Sequence, residues 1–311
     1  MRENIPVIRL QPDLGDDSVV ARDGVVLCFF MRHSHKEVAP AIWRALETYR
    51  RAIPPQALAW YGSDEGEPLP LDDKGWAHIR YQILERPWGF AWHVELEEDC
   101  SQVGGYHFEY LGRWLDDPEG FHDENSTTGV LFTFPTEYLL EHGPGHLRAL
   151  ALELARELPF SFGYASLAII APHGLWFSAR RKVVPLLSRY LGLDIYHLDE
   201  TSEHIGPRAR GSYWLTFLGQ PLLGQLGGLE GLRDTLSFPE VSFQPLEAER
   251  LLVTLGEWPD AIDTAKGVTV PPYQALAHLL EPWLCEERGD WFSLLPSGSD
   301  NMHRWLRRLC Q

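Results

Sequence analysis

The sequence predicts an α+β protein in which mixed or antiparallel sheets are flanked by helices. Strand-like and helix-like segments mix along the whole chain instead of following a regular βαβ succession. Short, continuous apolar runs such as Gly24–Met31 have the length of buried strands rather than helices. Two segments, Gly211–Leu236 (GSYWLTFLGQPLLGQLGGLEGLRDTL) and Gly129–Leu150 (GVLFTFPTEYLLEHGPGHLRAL), each read strand, short helix, glycine-containing break and second helix. Both carry a Leu-Arg pair in the second helix, Leu147–Arg148 and Leu232–Arg233. An internal duplication, or two halves sharing one layered core, accounts for the pair; chance agreement between two ordinary strand-helix units is the alternative.

The elements follow from local chemistry. Residues 1–23 are polar and read as a loose N-terminal segment. After the strand Gly24–Met31, Ser34-His35-Lys36-Glu37 fits a capping box, and the helix it opens runs to about Arg51. Val38, Ile42, Leu46 and Tyr49 form its apolar face. Leu58–Tyr61 is a short strand and Lys74–Leu84 a helix, with Trp76, Ile79, Tyr81 and Ile83 available to pack. Phe90–Leu96 and Tyr106–Leu111 read as strands of a hairpin. Further on come a helix at Gly145–Glu157, a strand at Gly163–Ala171 and an amphipathic helix at Ala179–Leu191. In the second repeated segment, Ser212–Leu218 is the strand, Pro221 opens a helix and Gly227-Gly228 stops it. Val241–Pro245 and Arg250–Gly256 are strands, and Pro271–Leu284 is a helix. The organisation is a segment 1–23, a main α+β domain 24–284 with halves near 24–172 and 173–284, and an extension 285–311. That extension ends in a short basic helix with Trp305, Leu306 and Leu309 on one side.

Composition narrows the function. The 311 residues are 44% hydrophobic and include twelve tryptophans, enough for a substantial core. No apolar run approaches 18 residues and no signal peptide is visible, so the expectation is a cytoplasmic protein without a membrane span. Cys28, Cys100, Cys285 and Cys310 lack CxxC spacing and read as free thiols. A formal net charge of −17 argues against nucleic acid as a direct ligand and favours a basic protein partner or simple solubility.

Catalytic signatures are weak. No phosphate-binding glycine loop, HExxH or GxSxG occurs. His33-Ser34-His35 offers two imidazoles, but Ser34 already serves as a helix cap. His197, Asp199, Glu200 and His204 are candidates for a metal cluster, against the ordinary reading of a solvated acidic turn; a metal-dependent hydrolase built there is the alternative function. Asp64 with Asp72-Asp73-Lys74 superficially resembles a nuclease arrangement, yet these residues fall in a loop and at a helix start rather than on a buried strand. No cofactor is expected.

Acidic stretches are the remaining feature: Asp64–Asp73, Glu95–Asp99, Asp116–Glu124 and Asp194–Glu203. The candidate partner-binding residues are Asp64, Glu65, Glu67, Asp72, Asp73, Glu97, Glu98, Asp99, Asp116, Asp117, Glu119, Asp123 and Glu124. Solvated turns are the plain alternative.

One ordered set of residues resembles a known family. Leu58-Ala59-Trp60-Tyr61, Leu158-Pro159, Gly163-Tyr164-Ala165-Ser166-Leu167, Gly192-Leu193-Asp194-Ile195, Arg210-Gly211-Ser212-Tyr213-Trp214-Leu215-Thr216, Leu226-Gly227-Gly228 and the helix Pro271–Trp283 occur together in sequence order. The set resembles the TsiV-like group of type VI secretion immunity proteins, from about Val25 to about Trp283. The resemblance implies a cytoplasmic, non-enzymatic protein. Its partner would be a cognate type VI effector with a restriction-endonuclease-like nuclease toxin domain, neutralised by stoichiometric occlusion. It implies scaffold roles for Trp60, Gly163, Tyr164, Gly211, Trp214, Gly227 and Gly228, and no catalytic residues. An adaptor that loads an effector for secretion is the third reading.

Overall fold

A computed structural model describes residues 5–311 except 16, 64, 88, 90, 118–122, 172–177 and 287–299. The strands in chain order are β1 (Arg9–Leu10), β2 (Ala21–Met31), β3 (Trp60–Gly62), β4 (Pro68–Pro70), β5 (Ala91–Glu97), β6 (His107–Arg113), β7 (Thr128–Pro135), β8 (Phe162–Ile170), β9 (Leu215–Leu218), β10 (Ser242–Leu246) and β11 (Arg250–Thr254). The helices are α1 (His35–Ala52), α2 (Asp73–Leu84), α3 (Thr136–His142), α4 (Pro144–Ala155), α5 (Arg180–Arg189), α6 (Leu198–His204), α7 (Leu222–Gln225), α8 (Gly228–Thr235), α9 (Pro271–Leu280) and α10 (Asp300–Leu306).

The apolar run of β2 is buried along nearly its whole length because it lies at the centre of one sheet. The order is β10-β11-β9-β8-β2-β7-β6-β5-β3-β4, with β1 on the early end of β2, and the paired strands run antiparallel. The two strand-helix-helix segments sit on opposite sides of this centre: β7 pairs β2 and leads into α3 and α4, while β9 pairs β8 and leads into α7 and α8. Gly227 turns the chain between α7 and α8 with φ +79°, a left-handed conformation glycine adopts without steric cost.

Alternation divides the sheet into two faces. On the first, Tyr49 of α1 packs edge-on against Phe132 and Phe134 of β7, Phe108 of β6 meets Phe132, and Tyr138 of α3 meets Phe134. Helices α1 to α4 cover this face, and each fully buried Val, Leu or Phe there contributes roughly 1.5–3 kcal/mol. The expected α1 face, Val38, Ile42, Leu46 and Tyr49, is buried as a set. On α2, Ile79 and Ile83 are buried, whereas Tyr81 is exposed and Trp76 lies under the Arg50 guanidinium.

The second face carries a polar core. Arg210 and Asp194 are fully buried, and Arg210 Nη1 donates to both Asp194 carboxylate oxygens at 2.7 and 2.8 Å. Tyr164 of β8 donates to Asp194 Oδ2 at 2.8 Å, the Tyr213 hydroxyl accepts from Arg210 Nη1 at 2.8 Å, and Arg210 Nη2 donates to the Ile195 carbonyl. Arg308, just beyond α10, donates to the Leu191 carbonyl and reaches within 4.0 Å of Asp194. Trp305, Leu306 and Leu309 are buried against the body, so the C-terminal helix is part of the packed structure.

Three expectations change. Residues 1–23 are not wholly loose, since β1 pairs with the first residues of β2 and Asp23 Oδ1 accepts from the Ile8 amide. Asp194–Glu203 is not an acidic loop: Asp194 is core, and Leu198–His204 forms α6, capped by His197 Nδ1 accepting from the Glu200 amide. The expected helix Pro271–Leu284 stops at Leu280, followed by a 3₁₀ turn at Glu281–Trp283 containing Pro282.

Replacing Arg210 with Met strips Asp194 of its main partner and is expected to cost about 3–5 kcal/mol of unfolding free energy. Tyr164→Phe, which removes the hydrogen bond to Asp194 and the longer one accepted from Arg210 at 3.3 Å, is expected to cost about 1.5–3 kcal/mol. Urea denaturation of the two variants checks the order; an equal or smaller loss for Arg210→Met contradicts the assignment.

Candidate functional site

The sequence of β5, Ala91-Trp92-His93-Val94-Glu95-Leu96-Glu97, alternates in chemistry and so builds two unlike surfaces. Trp92, Val94 and Leu96 are buried on the helix-covered face, where Trp92 stacks on His35 at 4.0 Å between ring centroids. Ala91, His93, Glu95 and Glu97 point the other way, joined across the register by Arg113, Leu111, Glu109 and His107 of β6. Helix α6 covers only the β7 side of this face. Leu198 lies against Gly129, where a Cβ would come within 2.8 Å, and Arg113 donates to Asp199 at 2.7 Å and to Ser202 Oγ at 3.1 Å. Among the described residues, the rest forms the floor of a cleft. One depression of about 720 Å³ is lined by Tyr61, Glu95, Glu97, Glu98, Asp99 and Tyr106. A second, of about 440 Å³, lies toward α6 with Glu109, Tyr196 and His197 in its wall, and both include Ala91, His93 and Glu95.

The predicted acidic residues separate into two groups here. Glu97, Glu98 and Asp99 line the larger depression, and the β3–β4 turn that carries exposed Glu65 and Glu67 borders it through Ser63, Gly66 and Pro68. Asp73 and Glu124 are exposed. Several others hold the backbone in place. Asp72 caps α2 by accepting from the Lys74 and Gly75 amides. Glu98 accepts from the Gly105 and Tyr106 amides. Asp123 accepts from the Asn125 amide. The Ser101 amide, with further bonds from the Ser101 hydroxyl and Gln102, holds the Asp99 carboxyl below the usual carboxylate range. Asp116 bonds Ser34 and Lys36 beside the start of α1, and half-buried Asp117 follows it. Asp64 and Glu119 lie outside the described residues. Glu95 lies on β5, as the expected strand Phe90–Leu96 has it, and is buried; the strand continues to Glu97.

Neither histidine group expected as a metal candidate converges. His35 Nδ1 lies 2.7 Å from the Tyr110 hydroxyl, and the Ser34 amide donates to Glu37 as half of the expected capping box. At α6, Asp199 pairs with Arg113, His197 caps the helix and His204 pairs with Glu200 at 3.4 Å, so the four side chains do not share one centre.

A different cluster was missed. Glu95 and Glu109 stand directly opposite in the β5–β6 register, an arrangement that repels unless positive charge lies nearby. His93 Nε2 is 3.6 Å from Glu109 Oε1 and 3.9 Å from Glu95 Oε1, and His107 Nε2 is 3.9 Å from Glu95 Oε1. Burial pushes the Glu109 carboxyl up, but the hydrogen bond from His93 and the nearby imidazoles of His107, His93 and His197 outweigh it and leave the group below its ordinary range. The signal was present in the sequence as two His-x-Glu triplets, His93-Val94-Glu95 and His107-Phe108-Glu109, one on each strand of the hairpin.

On the helix-covered side, a smaller pocket of about 350 Å³ lies between α1 and α2 and is lined by His35, Lys36, Arg86, Trp92, Arg113 and Trp114. Burial lowers the His35 imidazole to about 4, with a backbone hydrogen bond at Ile83 opposing the shift and Arg86 adding to it. None of the described helices is long and apolar enough to cross a membrane.

The architecture is shared with a solved type VI secretion system protein of Pseudomonas aeruginosa, PA0821, at a TM-score of 0.77 and 20% identity, covering 97% of this chain and 87% of that one. No curated protein sequence matches the chain. Residues 41–309 match the family TsiV, described as type VI immunity for VRR-NUC. This chain belongs to that family, and the match takes in strands β3 to β11 and the C-terminal helix.

The His35 geometry fixes a pH dependence. The unfolded chain takes up a proton on His35 near pH 6.5, whereas the folded chain resists it until about pH 4. Stability attributable to this group is complete above pH 6.5 and is lost as pH falls through that window. The urea midpoint of His35→Gln is expected to fall less steeply over this range than that of the native protein; parallel slopes contradict the assignment.

Proposed function

We propose that this chain is the immunity partner of a type VI effector whose toxic domain is a VRR-NUC nuclease of restriction-endonuclease-like fold, and that it neutralises the toxin by one-to-one binding in the cytoplasm rather than by catalysis. The observation that carries the reading is the family match across residues 41–309. Charge supports it. A nuclease must expose basic residues to hold phosphates, and this chain of net charge −17 offers a concave surface edged by carboxylates. Docking there would occupy the path of the DNA and exclude substrate without chemistry. Complementary fields also raise association toward about 10⁸–10⁹ M⁻¹s⁻¹ at low salt, which suits an inhibitor that must act before the toxin cuts.

The proposed contact region is the β3–β4 turn with Asp64, Glu65 and Glu67, the start of α2 with Asp72 and Asp73, the end of β5 with Glu97, Glu98 and Asp99, and the segment from Asp116 and Asp117 through Glu119, Asp123 and Glu124. An interface of ordinary stability would bury roughly 1,600 Å². Among these residues Glu65 and Glu67 are the cleanest probes, since both are exposed and Ser63 makes the hydrogen bonds that close this turn, with the Glu67 backbone and the Gly66 amide.

Titrating the purified nuclease domain with this protein is expected to abolish DNA cleavage at one equivalent; cleavage that persists in excess overturns the reading. The double substitution Glu65→Lys with Glu67→Lys is expected to slow association by about tenfold at low salt, with the difference shrinking as ionic strength rises. An association rate unchanged at all salts would remove this turn from the interface.

A further inference from the structure

We infer that the β5–β6 hairpin carries a divalent transition-metal site, suited to zinc, formed by His93, Glu95 and Glu109 with His107 at its inner edge. The argument begins with register. Two His-x-Glu triplets on neighbouring antiparallel strands place Glu95 opposite Glu109, so the local two-fold symmetry of the ladder sets the histidines on the two diagonals. The measured contacts follow that symmetry: His93 Nε2 to Glu109 Oε1 is 3.6 Å, and His107 Nε2 to Glu95 Oε1 is 3.9 Å.

The donor atoms of His93, Glu95 and Glu109 all lie within 4.8 Å of one another. Ligands bound at about 2.0–2.1 Å around a tetrahedral zinc stand roughly 3.3 Å apart, so small side-chain rotations close the set. Imidazole nitrogen with carboxylate oxygen is a donor combination zinc takes readily, while calcium and magnesium favour all-oxygen shells.

The surroundings agree with a bound cation. A divalent ion would neutralise two carboxylates that face each other across the ladder, one of them buried. The cluster lies where the two depressions of the cleft meet, and the His93 side chain is 51% exposed, so an ion has a way in from solvent. The opposite side of the sheet supports the ligands: Trp92, Val94 and Leu96 anchor β5 in the core, holding His93 and Glu95 on the open face. This inference is independent of the immunity reading, and its test involves no effector.

The test uses the full chain, stripped with EDTA, dialysed against excess Zn²⁺ and analysed for bound metal and thermal midpoint. The expected result is about one zinc per chain, a zinc-dependent rise in midpoint, and a loss of at least about tenfold in affinity for both His93→Gln and Glu109→Gln. Circular dichroism in EDTA verifies that the variants fold. If Glu109→Gln fails to fold, His93→Gln decides, because its side chain is half exposed. Absence of stoichiometric zinc on the native chain, or zinc retained equally by His93→Gln, overturns the site; the latter result would place the metal elsewhere, as on Cys100, which is exposed.

Discussion

The buried Arg210–Asp194 pair is the interaction on which the second face of this protein depends. Removing two charges from water is costly, and the cost is offset only if nearly every donor and acceptor finds a partner. Here the partners come from separate parts of the chain: Tyr164 from β8 beside the central strand β2, Ile195 from the segment near it, Tyr213 from the approach to β9, and Arg308 from the turn just after the C-terminal helix. One carboxylate therefore links the sheet centre to the segments that cover it. The residues that carried the family resemblance, Tyr164, Asp194, Arg210 and Tyr213, converge on this network. The resemblance was thus a signature of scaffold, and this is why it spoke to family membership more firmly than to contact residues.

The opposite requirement shapes the edge of the sheet. Strands β5 and β6 must bury Trp92, Val94, Leu96, Phe108 and Tyr110 against the helices, and period-two alternation then commits His93, Glu95, Glu97, His107 and Glu109 to the far side. Among the described residues, α6 packs on β7 and the end of β6, and the far side of β5 and β6 forms a cleft. The acidic residues expected to bind a partner are unequal in role. Asp72, Glu98, Asp99 and Asp123 spend their oxygens on backbone amides, while Glu65 and Glu67 extend into solvent. An acidic rim on a packed frame suits recognition of a basic surface, with the frame supplying rigidity and the rim supplying the field.

Much of the architecture was legible in the sequence wherever periodicity was strong. Gly24–Met31 became β2, Val38, Ile42, Leu46 and Tyr49 became the inner face of α1, and the two strand-helix-helix segments appeared on either side of the sheet centre. Failures had local causes. Helix α6, LDETSEH, is short and acidic, and it persists through a histidine cap and through burial of Leu198, Thr201 and Ser202. Strand β4, Pro-Leu-Pro, is an edge strand, where proline leaves no central ladder bond unmade. The expected strand Phe90–Leu96 ends one residue later, at Glu97, where alternation is still in force within the acidic run. The Glu95–Glu109 pairing required the register between two strands, which a single sequence does not display.

Hydrogen–deuterium exchange of this protein alone and in complex with its nuclease effector tests the central claim most directly. The account predicts protection on binding at residues 60–67 and 95–106, where the β3–β4 turn and the β5–β6 connection border the cleft. Protection confined to other surfaces, with both of these segments exchanging as in the free protein, would contradict it.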